Sequence, residues 1–458
     1  MNELSPSLAL EFVKENNVKF IRLNFCDIFG VQKNISIMAD ELAGAFENGI
    51  SFDAHVIRGF SDITQSDMFL FPDPSTLAVL PWRPGPGRVI RFFCDIRTPK
   101  DVKHPKDVKH PSDVIHPSGS AFEHDTRFVL KKVTERALQM GYVCKIGAEC
   151  EFYLFRTEEN GEPSEATLDK GACMDISPLD KGEDIRREIC LTLEEMGIKP
   201  ESSHHEQGPG QNEIDFKFDD AVASADNLQT FKTVVKAIAS RNGLFASFLP
   251  KPIADAPGNG MHINLSLYQN GKNIFKNISE GHSKAAESFI AGIIDKTPEI
   301  TLFLNPLANS YERFGKFEAP KYVSWSHQNR SQLIRIPSAS GENVRMELRS
   351  PDSSLNPYLA FALIISAGLD GIEKSMSLPP AIDEDLYTAD KEKTKGLAQL
   401  PDTLGKAVEL AGKSAFIKNV LGENLLSKYI EIIKTEAKEY AASKDKEQFY
   451  KERYFNVY

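Results

Sequence analysis

The sequence predicts an α+β protein with a small N-terminal domain and a much larger second domain. Segments with the alternating pattern of strands are frequent, and helical segments lie between groups of them. The chain contains neither G-x-G-x-x-G nor G-x-x-x-x-G-K-[ST], which argues against Rossmann and P-loop folds. With 458 residues, 41% of them hydrophobic, it is long enough to form one large or two ordinary domains with real cores.

The N-terminal domain is predicted to begin with a helix over residues 5–16. Strand-like segments follow it: KFIRLNFCDIFG, VQKNISI, STLAVLPW and RVIRFFCDI. Three tandem hexapeptides, KDVKHP, KDVKHP and SDVIHP, then occupy residues 100–117. Their histidines (His104, His110, His116) suggest a metal site, but recurrent proline and charge favour a solvated linker or hairpin insertion, which we prefer. We therefore predict domains at 1–117 and 118–458.

The second domain alternates helices and strands. Helices are predicted over 125–140, 183–197 and 223–243, strands in YVCKIGAECEFYLF and NEIDFKF, and a hairpin with an Asn-Gly turn over 261–275. The chain after about residue 375 is predicted to be mostly helical.

Composition narrows the function classes. The net charge is −11, whereas a general nucleic-acid binder is usually basic, so no nucleic-acid partner is expected. The six cysteines form no C-x-x-C pair, which is typical of a reduced, cytoplasmic protein. The first residues lack a signal-peptide pattern, and no apolar run reaches the length of a membrane span.

The stretch NVRMELR (Asn343–Arg349) has an unusual distribution of charge. As a strand it would place Arg345, Glu347 and Arg349 on one face and Met346 and Leu348 on the other. For a single strand, the simplest interpretation is that the charged residues lie on the solvent-exposed face of an antiparallel sheet. The same residue types recur elsewhere, however: Glu149 and Glu151 in GAECEFYLF, Glu206 and Glu213 around a Gly-Pro-Gly turn, His262 in GMHINLSL, and Arg330 and Arg335 near SQLIRIP.

Five carboxylates and one imidazole on such strands predict a metal site, because buried carboxylates repel one another unless a cation neutralises them. Oxygen ligands with one imidazole suit Mg²⁺ or Mn²⁺. Arginines beside the site suit phosphate and carboxylate ligands, which guanidinium groups hold bidentately. A divalent metal with arginines is typical of phosphoryl transfer.

The chain resembles type I glutamine synthetase along nearly its whole length. The motifs that carry the resemblance are FDAHVIRGF, SDMFLFPDPSTLAVLPW, GAECEFYLF, SHHEQGPGQNEIDF, FASFLPKPI, GNGMHINLSL, NPLANSYERF, EAPKYVSWSHQNRSQLIRIP and VRMELRSPDSSLNPYLAFALIISAGLDGIE. The resemblance implies an N-terminal β-grasp domain and a catalytic domain with a curved antiparallel sheet, a half-barrel flanked by helices. It also implies a glutamate–ammonia ligase that makes γ-glutamyl phosphate from glutamate and ATP, which ammonia then converts to glutamine.

The resemblance implies roles for individual residues. One metal would be held by Glu151, Glu206 and Glu213, and the other by Glu149, His262 and Glu347. Glutamate would be bound by Gly258, Arg313 and Arg349. The ATP site would contain Glu201, Phe218, Ser266, Arg335 and Arg345. The catalytic residues would be Asp53, Glu318 and Arg330, with Asp53 helping to deprotonate ammonium, Glu318 shielding the intermediate, and Arg330 neutralising the phosphoryl group.

Asp53 is expected to reach the site of a neighbouring subunit. The resemblance therefore implies a homo-oligomer with shared active sites, built as two stacked hexameric rings. The expected small-molecule partners are glutamate, ATP and ammonia or a small amine, with two or more Mg²⁺ or Mn²⁺ ions per site.

Four positions depart from the family pattern: Val56 replaces a serine, Cys173 a tyrosine, Pro257 an asparagine and Asn264 a histidine. The first two lie in the pocket for ammonium, so polar groups that discriminate by hydrogen bonding are lost there. Glutamine synthesis ranks first because Asp53 and Glu318 are present. The alternatives are a γ-glutamyl-amine ligase that uses an alkylamine, polyamine or amino alcohol, and a non-catalytic structural or regulatory homologue.

Overall fold

A computed structural model describes residues 4–82, 87–99, 119–275 and 283–458. The hexapeptide repeats and the predicted domain boundary after residue 117 lie outside these residues. The chain divides into two compact units, Met1–Val129 with Glu195–Gly197 and Leu130–Glu194 with Ile198–Tyr458. In the part of the chain that the structure describes, no helix has the length and apolar character needed to cross a membrane.

The N-terminal unit is built on a mixed sheet. Its strands are β1 (Val18–Cys26), β2 (Gln32–Met38), β3 (Ile50–Asp53), β4 (Asp67–Pro72), β5 (Ala78–Val79) and β6 (Arg88–Arg97). Their order is β2-β1-β6-β4-β3 with β5 on β6, and only the β1–β6 pair among them is parallel. The predicted strand in STLAVLPW is thus confined to two residues, and β3 and β4 were not predicted.

Among the described residues, two α-helices lie wholly within this unit, α1 (Pro6–Glu15) and α2 (Leu42–Asn48). Helix α1 begins where the sequence predicts it to begin, because the hydroxyl of Ser5 accepts a hydrogen bond from the Leu8 amide and Pro6 occupies the first turn. Its buried residues, Ala9 and Val13, are four apart and so lie on one face.

The second unit contains an eleven-stranded sheet among its described residues. The strands are β7 (Val143–Thr157), β8 (Pro163–Thr167), β9 (Pro200–His205), β10 (Gln211–Phe216), β11 (Asp219–Asp220), β12 (Leu244–Ser247), β13 (Met261–Gln269), β14 (Lys272–Asn273), β15 (Trp325–His327), β16 (Ile334–Ile336) and β17 (Met346–Leu348). The main path is β15-β16-β17-β13-β7-β10-β9, and all of its pairs except β15–β16 are antiparallel. NVRMELR forms a strand only at its centre.

Helices flank this sheet. They are α3 (Thr126–Gln139), α4 (Glu183–Glu195), α5 (Ala221–Arg241), α6 (Lys284–Leu304), α7 (Pro357–Glu373), α8 (Lys391–Thr394), α9 (Leu404–Lys413), α10 (Ala415–Leu421), α11 (Glu423–Ala442) and α12 (Lys446–Tyr454). Helices α6 and α7 approach closely at glycines. A Cβ on Gly371 would lie 2.1 Å from the Ser288 carbonyl oxygen, and one on Gly292 would lie 2.2 Å from that of Ala367. Only glycine allows this packing distance.

The long central strand β7 separates the core from the charged face. Ala148, Cys150 and Phe152 are buried. Glu149 and Glu151 alternate with them and therefore project from the opposite face. The periodicity of the strand thus places the carboxylates on one side of a rigid sheet whose other side is part of the hydrophobic core.

Candidate active site

Strand register brings the predicted acidic residues together. Across the β7–β10 ladder, Glu151 is paired with Glu213. Across the β7–β13 ladder, Glu149 is paired with His262. Glu347 on β17 is paired with Asn264 on β13. Directly paired residues share a face, so these side chains from four strands point to one side of the sheet.

Glu149, His262 and Glu347 form the first cluster. One ligand atom of each lies within 4.8 Å of the others. His262 Nδ1 is 3.3 Å from Glu149 Oε2 and 3.8 Å from Glu347 Oε1. Burial by itself raises the pKa of Glu149, but hydrogen bonding and charge from His262, with the Asn264 amide, lower that pKa to about 2. These are the three residues predicted to hold one metal.

The second cluster contains His204, Glu206 and Glu213, whose ligand atoms also lie within 4.8 Å of one another. Glu151 is paired with Glu213 of this cluster, and it accepts hydrogen bonds from the Gln211 side chain and the Gly260 amide, at 2.9 and 2.8 Å. Burial and the nearby Glu206 raise the pKa of Glu151 to about 8. Burial and the surrounding carboxylates also raise the pKa of Glu213.

This donor set fits divalent cations. Carboxylates from adjacent strands raise one another's pKa, which shows that gathering them without a countercharge is unfavourable. The donors are oxygens and imidazole nitrogens, without a thiolate, and suit Mg²⁺ or Mn²⁺. The assignment of the six predicted ligands to two ions remains a prediction.

Two cavities meet at these clusters. The first, of about 380 Å³, is lined by all five predicted arginines and by the predicted acidic ligands other than Glu347. The second, of about 460 Å³, contains the predicted nucleotide residues Glu201, Phe218 and Ser266 in its wall. Three residues line both cavities, namely Glu149, Asp215 and Arg345. Glu149 of the first cluster therefore lies where the highly polar cavity meets the second one.

Arg313 and Arg349 are almost fully buried in the wall of the first cavity. Arg313 donates to the Ser350 carbonyl oxygen at 3.1 Å, and Arg349 donates to that of Arg330, also at 3.1 Å. Gly258 lies beside Arg313. A Cβ at this position would be 2.7 Å from Arg313 Cγ and 2.4 Å from the Pro250 carbonyl oxygen, so only glycine fits.

Two of the predicted arginines contact Glu347, and a third contacts its neighbour Asn264. Arg335 and Arg349 both form ion pairs with the Glu347 carboxylate. Arg345 Nε donates to Asn264 Oδ1 at 2.8 Å, and Asn264 Nδ2 donates to Glu149 Oε1 at 2.8 Å. Asn264, a departure from the family pattern, therefore connects an arginine to a candidate metal ligand.

Glu318 lies on an exposed turn at the edge of the first cavity. Its carboxylate is 3.5 Å from Arg349 Nη2 and 3.9 Å from Arg330 Nη1, and it accepts a hydrogen bond from Gln207 at 3.3 Å. Cys173 and Met174 line the same cavity. This end of the cavity thus combines carboxylates with thiol and thioether groups.

Asp53 belongs to the N-terminal unit, where it ends β3. Its Oδ1 lies 2.5 Å from His55 Nδ1, and this hydrogen bond lowers the pKa of Asp53. Asp53 is exposed, and Val56 nearby is 68% exposed. The role of Asp53 at a neighbouring site remains a prediction.

The sequence interpretation missed two titratable residues, His204 and Asp215. Asp215 is paired with Glu149 across the β7–β10 ladder, and His204 is paired with Glu213 across the β9–β10 ladder. The alternation rule applied to Glu213 also covers Asp215, two residues later, so this signal was present in NEIDF. His204 stands two residues before Glu206 in SHHEQG.

Comparison with known proteins agrees with the geometry. The model of the glutamine synthetase catalytic domain matches residues 123–452, and that of the glutamine synthetase beta-grasp domain matches residues 17–99. A curated glutamine synthetase of Clostridium saccharobutylicum is 44% identical over 92% of both chains. One of Methanosarcina mazei is 43% identical over 95% of this chain and 94% of its own.

Solved structures give the same result. A structure titled "GmaS/ADP complex-Conformation 1" aligns with a TM-score of 0.84 at 30% identity, over 99% of both chains. "Apo GmaS without ligand" aligns with a TM-score of 0.83 at 30% identity, over 97% of this chain and 98% of the other.

These matches confirm the predicted fold class, a β-grasp domain followed by a curved sheet flanked by helices. They also confirm the predicted enzyme class, a glutamate–ammonia ligase. The chain belongs to the glutamine synthetase family.

Proposed function

We propose that this enzyme joins ammonia to the γ-carboxylate of glutamate, using ATP and passing through γ-glutamyl phosphate. The observation that carries the proposal is the meeting of two cavities at Glu149, Asp215 and Arg345, beside both acidic clusters. A nucleotide in the second cavity, against Glu201, Phe218 and Ser266, would direct its phosphates toward this junction. The relative whose structure is titled as an ADP complex supports a nucleotide site in this fold.

Glutamate binds in the first cavity. The buried guanidinium groups of Arg313 and Arg349 hold its carboxylates, because a desolvated arginine binds a carboxylate through charge-assisted hydrogen bonds. The Gly258 backbone contacts the bound glutamate, at a position where a side chain would collide with Pro250 and Arg313. This arrangement leaves the γ-carboxylate directed toward the acidic clusters.

The γ-carboxylate oxygen attacks the terminal phosphorus of ATP, and ADP leaves. Glu149, His262 and Glu347 would hold one divalent cation, and Glu206 and Glu213 with Glu151 or His204 a second. Bound Mg²⁺ or Mn²⁺ supplies neutralisation of phosphate charge. Arg330, Arg335 and Arg345 add positive charge around the same space and orient the phosphoryl group.

Ammonia then attacks the acyl carbon and phosphate departs. Asp53 of a neighbouring subunit takes a proton from ammonium, and Glu318 accepts a proton from the adding amine. Glu318 is placed for this role because it lines the cavity at its edge, where Arg330 at 3.9 Å and Arg349 at 3.5 Å orient its carboxylate.

The proposal is tested by measuring how much of each product is formed. Purified protein with Mg²⁺, ATP, glutamate and ¹⁵N-ammonium should form labelled glutamine, ADP and phosphate in equal amounts. Absence of labelled glutamine under conditions where nucleotide binds would overturn the proposal.

A second candidate, a γ-glutamyl-amine ligase, is favoured by the acceptor end of the cavity. Cys173, Met174 and Phe317 line it, and Met174 and Phe317 are 72% and 49% exposed. Thiol and thioether groups suit an alkyl substituent better than they suit ammonium, because they are weak hydrogen-bond partners. A panel of amines compared by kcat/KM decides between the two candidates. If a primary alkylamine exceeds ammonia by orders of magnitude, the second candidate replaces the first.

Sharing of Asp53 requires an oligomer, and we retain two stacked hexameric rings as the proposed assembly. A cytoplasmic location likewise stays a prediction. The non-catalytic alternative receives no support, since the catalytic-domain match spans residues 123–452.

A further inference from the structure

Lys251 is a buried lysine in contact with Phe317, which lines the acceptor end of the first cavity, and the mechanism above does not use it. It follows β12 closely, and its side chain is 1% exposed. Its ammonium donates a hydrogen bond to the Ala256 carbonyl oxygen, and its own carbonyl oxygen accepts one from Asn309 Nδ2 at 3.2 Å. A buried ammonium is unfavourable unless it is paired, so these contacts are costly to lose.

The second partner of this ammonium is an aromatic ring. Lys251 Nζ lies 4.6 Å from the centroid of Phe317, within the range of a cation–π contact. Phe317 and Glu318 have φ angles of +46° and +64°, which side chains rarely adopt. The turn is closed by a hydrogen bond from the Gly315 amide to the Ala319 carbonyl oxygen at 2.8 Å. The contact of Lys251 with Phe317, which comes from outside the turn, therefore helps to hold this strained turn in place.

The same ammonium also secures the glutamate side of the cavity. Ala256 precedes Pro257, whose carbonyl oxygen accepts a hydrogen bond from the Tyr153 hydroxyl at 2.7 Å, and Gly258 comes next. Gln211 Nε2 donates to the Gly258 carbonyl oxygen at 3.2 Å. Lys251 thus links the loop that contacts glutamate to the turn that carries Glu318.

We propose that Lys251 is a positioning residue that holds Phe317, and through it Glu318, over the acceptor end so that water does not reach γ-glutamyl phosphate. The inference rests on the proposed function and names a residue that controls the fate of its intermediate. When the turn opens, water attacks the acyl carbon, glutamate is regenerated and phosphate is released. ATP is then consumed without formation of an amide.

The charge of Lys251 also predicts how the loss of γ-glutamyl phosphate to water depends on pH. Burial, with repulsion from Lys316 and Arg313, lowers the pKa of Lys251 to about 8, although Glu312 and Asp255 oppose this shift. As pH rises through this value the ammonium loses its proton, and its attraction to the ring of Phe317 is lost with it. Phosphate release without amide formation should therefore increase above about pH 8 in the wild-type enzyme and stay level in a Lys251→Arg variant.

The experiment measures the ratio of phosphate to glutamine formed by the intact oligomer. Wild type and Lys251→Arg should give a ratio near one, and Lys251→Met and Phe317→Leu a ratio of about two or more, because a lost cation–π contact increases the open population several-fold. Lys316→Met, assayed below about pH 8 where Lys251 keeps its proton in both proteins, is the matched control, since it removes an exposed cation from the same turn. Amide hydrogen exchange of residues 314–319 should be faster in Lys251→Met and Phe317→Leu than in wild type, and unchanged in Lys316→Met.

The outcomes separate the two proposals. If wild type forms no amide, the proposed function fails. If wild type forms amide and the Lys251→Met and Phe317→Leu variants keep a ratio near one, the role of Lys251 fails. Should Lys251→Met not assemble, Phe317→Leu decides alone, because Phe317 is half exposed and its truncation leaves the core intact.

Discussion

Glu151 and Glu213 are directly paired across the β7–β10 ladder, with both side chains on the charged face of the sheet. Like charges placed directly opposite destabilise a sheet. Burial is the main cause of the raised pKa of each, and neighbouring carboxylates add to it. We therefore expect the stability of this site, which the register of two strands creates, to depend on a bound cation.

This dependence can be measured by thermal unfolding. In the metal-free protein, Glu213→Gln should raise the unfolding temperature, because it removes repulsion worth about 1 kcal/mol. The same variant should lose most of the stabilisation that Mg²⁺ or Mn²⁺ gives to wild type, and it should be inactive. Glu159→Gln, at an exposed turn, is the control and should change neither quantity. A metal-free Glu213→Gln protein less stable than wild type would contradict the repulsion.

The contact of Arg345 with Asn264 predicts a selective effect on nucleotide. Asn264→Leu removes the oxygen that accepts from Arg345 Nε and the amide that donates to Glu149. We expect KM for ATP to rise about tenfold, since an arginine that loses its orienting hydrogen bond holds phosphate less well. KM for glutamate should change less than about twofold, because Arg313 and Gly258 are untouched. Equal increases in both constants would contradict a role confined to the nucleotide.

Cys173 predicts how acceptor choice can be changed. Cys173→Tyr places a phenol at the acceptor end, where it can hydrogen-bond ammonium and fill the space beside Met174. The ratio of kcat/KM for ammonia to that for a primary alkylamine should rise about tenfold or more. Cys173→Ser, which changes polarity without filling space, should have a smaller effect. An unchanged ratio in both variants would exclude this residue from acceptor recognition.

The shared site predicts complementation between inactive proteins. Asp53→Ala and Glu347→Ala should each be inactive alone. When subunits are mixed in equal amounts and reassembled, about a quarter of the sites receive an intact Asp53 and an intact Glu347, if each site draws on two adjacent subunits. Activity near one quarter of wild type is expected. Mixed oligomers that remain inactive would show that Asp53 acts within its own chain or not at all.

Buried Asp125 predicts pH-dependent stability of the N-terminal unit. Its carboxyl group accepts hydrogen bonds from the Ile96 and Arg127 amides, and burial, with nearby Asp95, raises its pKa from 3.8 to about 7. Between these pH values the unfolded chain loses a proton that the native chain keeps. The free energy of unfolding should therefore fall by on the order of 2–4 kcal/mol as pH rises across this window.

Urea unfolding of a Trp325→Phe protein measures the free energy of unfolding of the N-terminal unit, because Trp82 lies in that unit and remains as the fluorescent probe. Asp125→Asn should remove most of the pH dependence. If the free energy of unfolding changes equally with pH in both proteins, the pH dependence belongs to groups other than Asp125.

Periodicity explains why much of the site could be predicted from sequence. Alternation along β7 is sufficient to place Glu149 and Glu151 opposite Cys150, because the hydrophobic residues of the strand must face the core. The same rule covers Asp215 in NEIDF, which the interpretation missed by considering the predicted ligands alone. Strand β9 was missed because Pro200–His205 carries none of the β-branched residues typical of strands.

Other features depend on contacts that sequence does not contain. The pairing of Glu151 with Glu213 is set by hydrogen bonds between strands far apart in the chain. The contact between Lys251 and Phe317 joins two loops and has no periodic signal. Arg345 and Arg349 flank β17 instead of lying within it, because the strand is limited to Met346–Leu348.

The most direct measurement is anomalous diffraction from crystals grown with Mn²⁺ and a non-hydrolysable ATP analogue. We predict one manganese peak bounded by Glu149, His262 and Glu347 and a second bounded by Glu206 and Glu213, with the terminal phosphate between them and Arg345. Glu347→Gln should lose the first peak and keep the second. A nucleotide bound without any manganese at these two clusters would contradict the assignment.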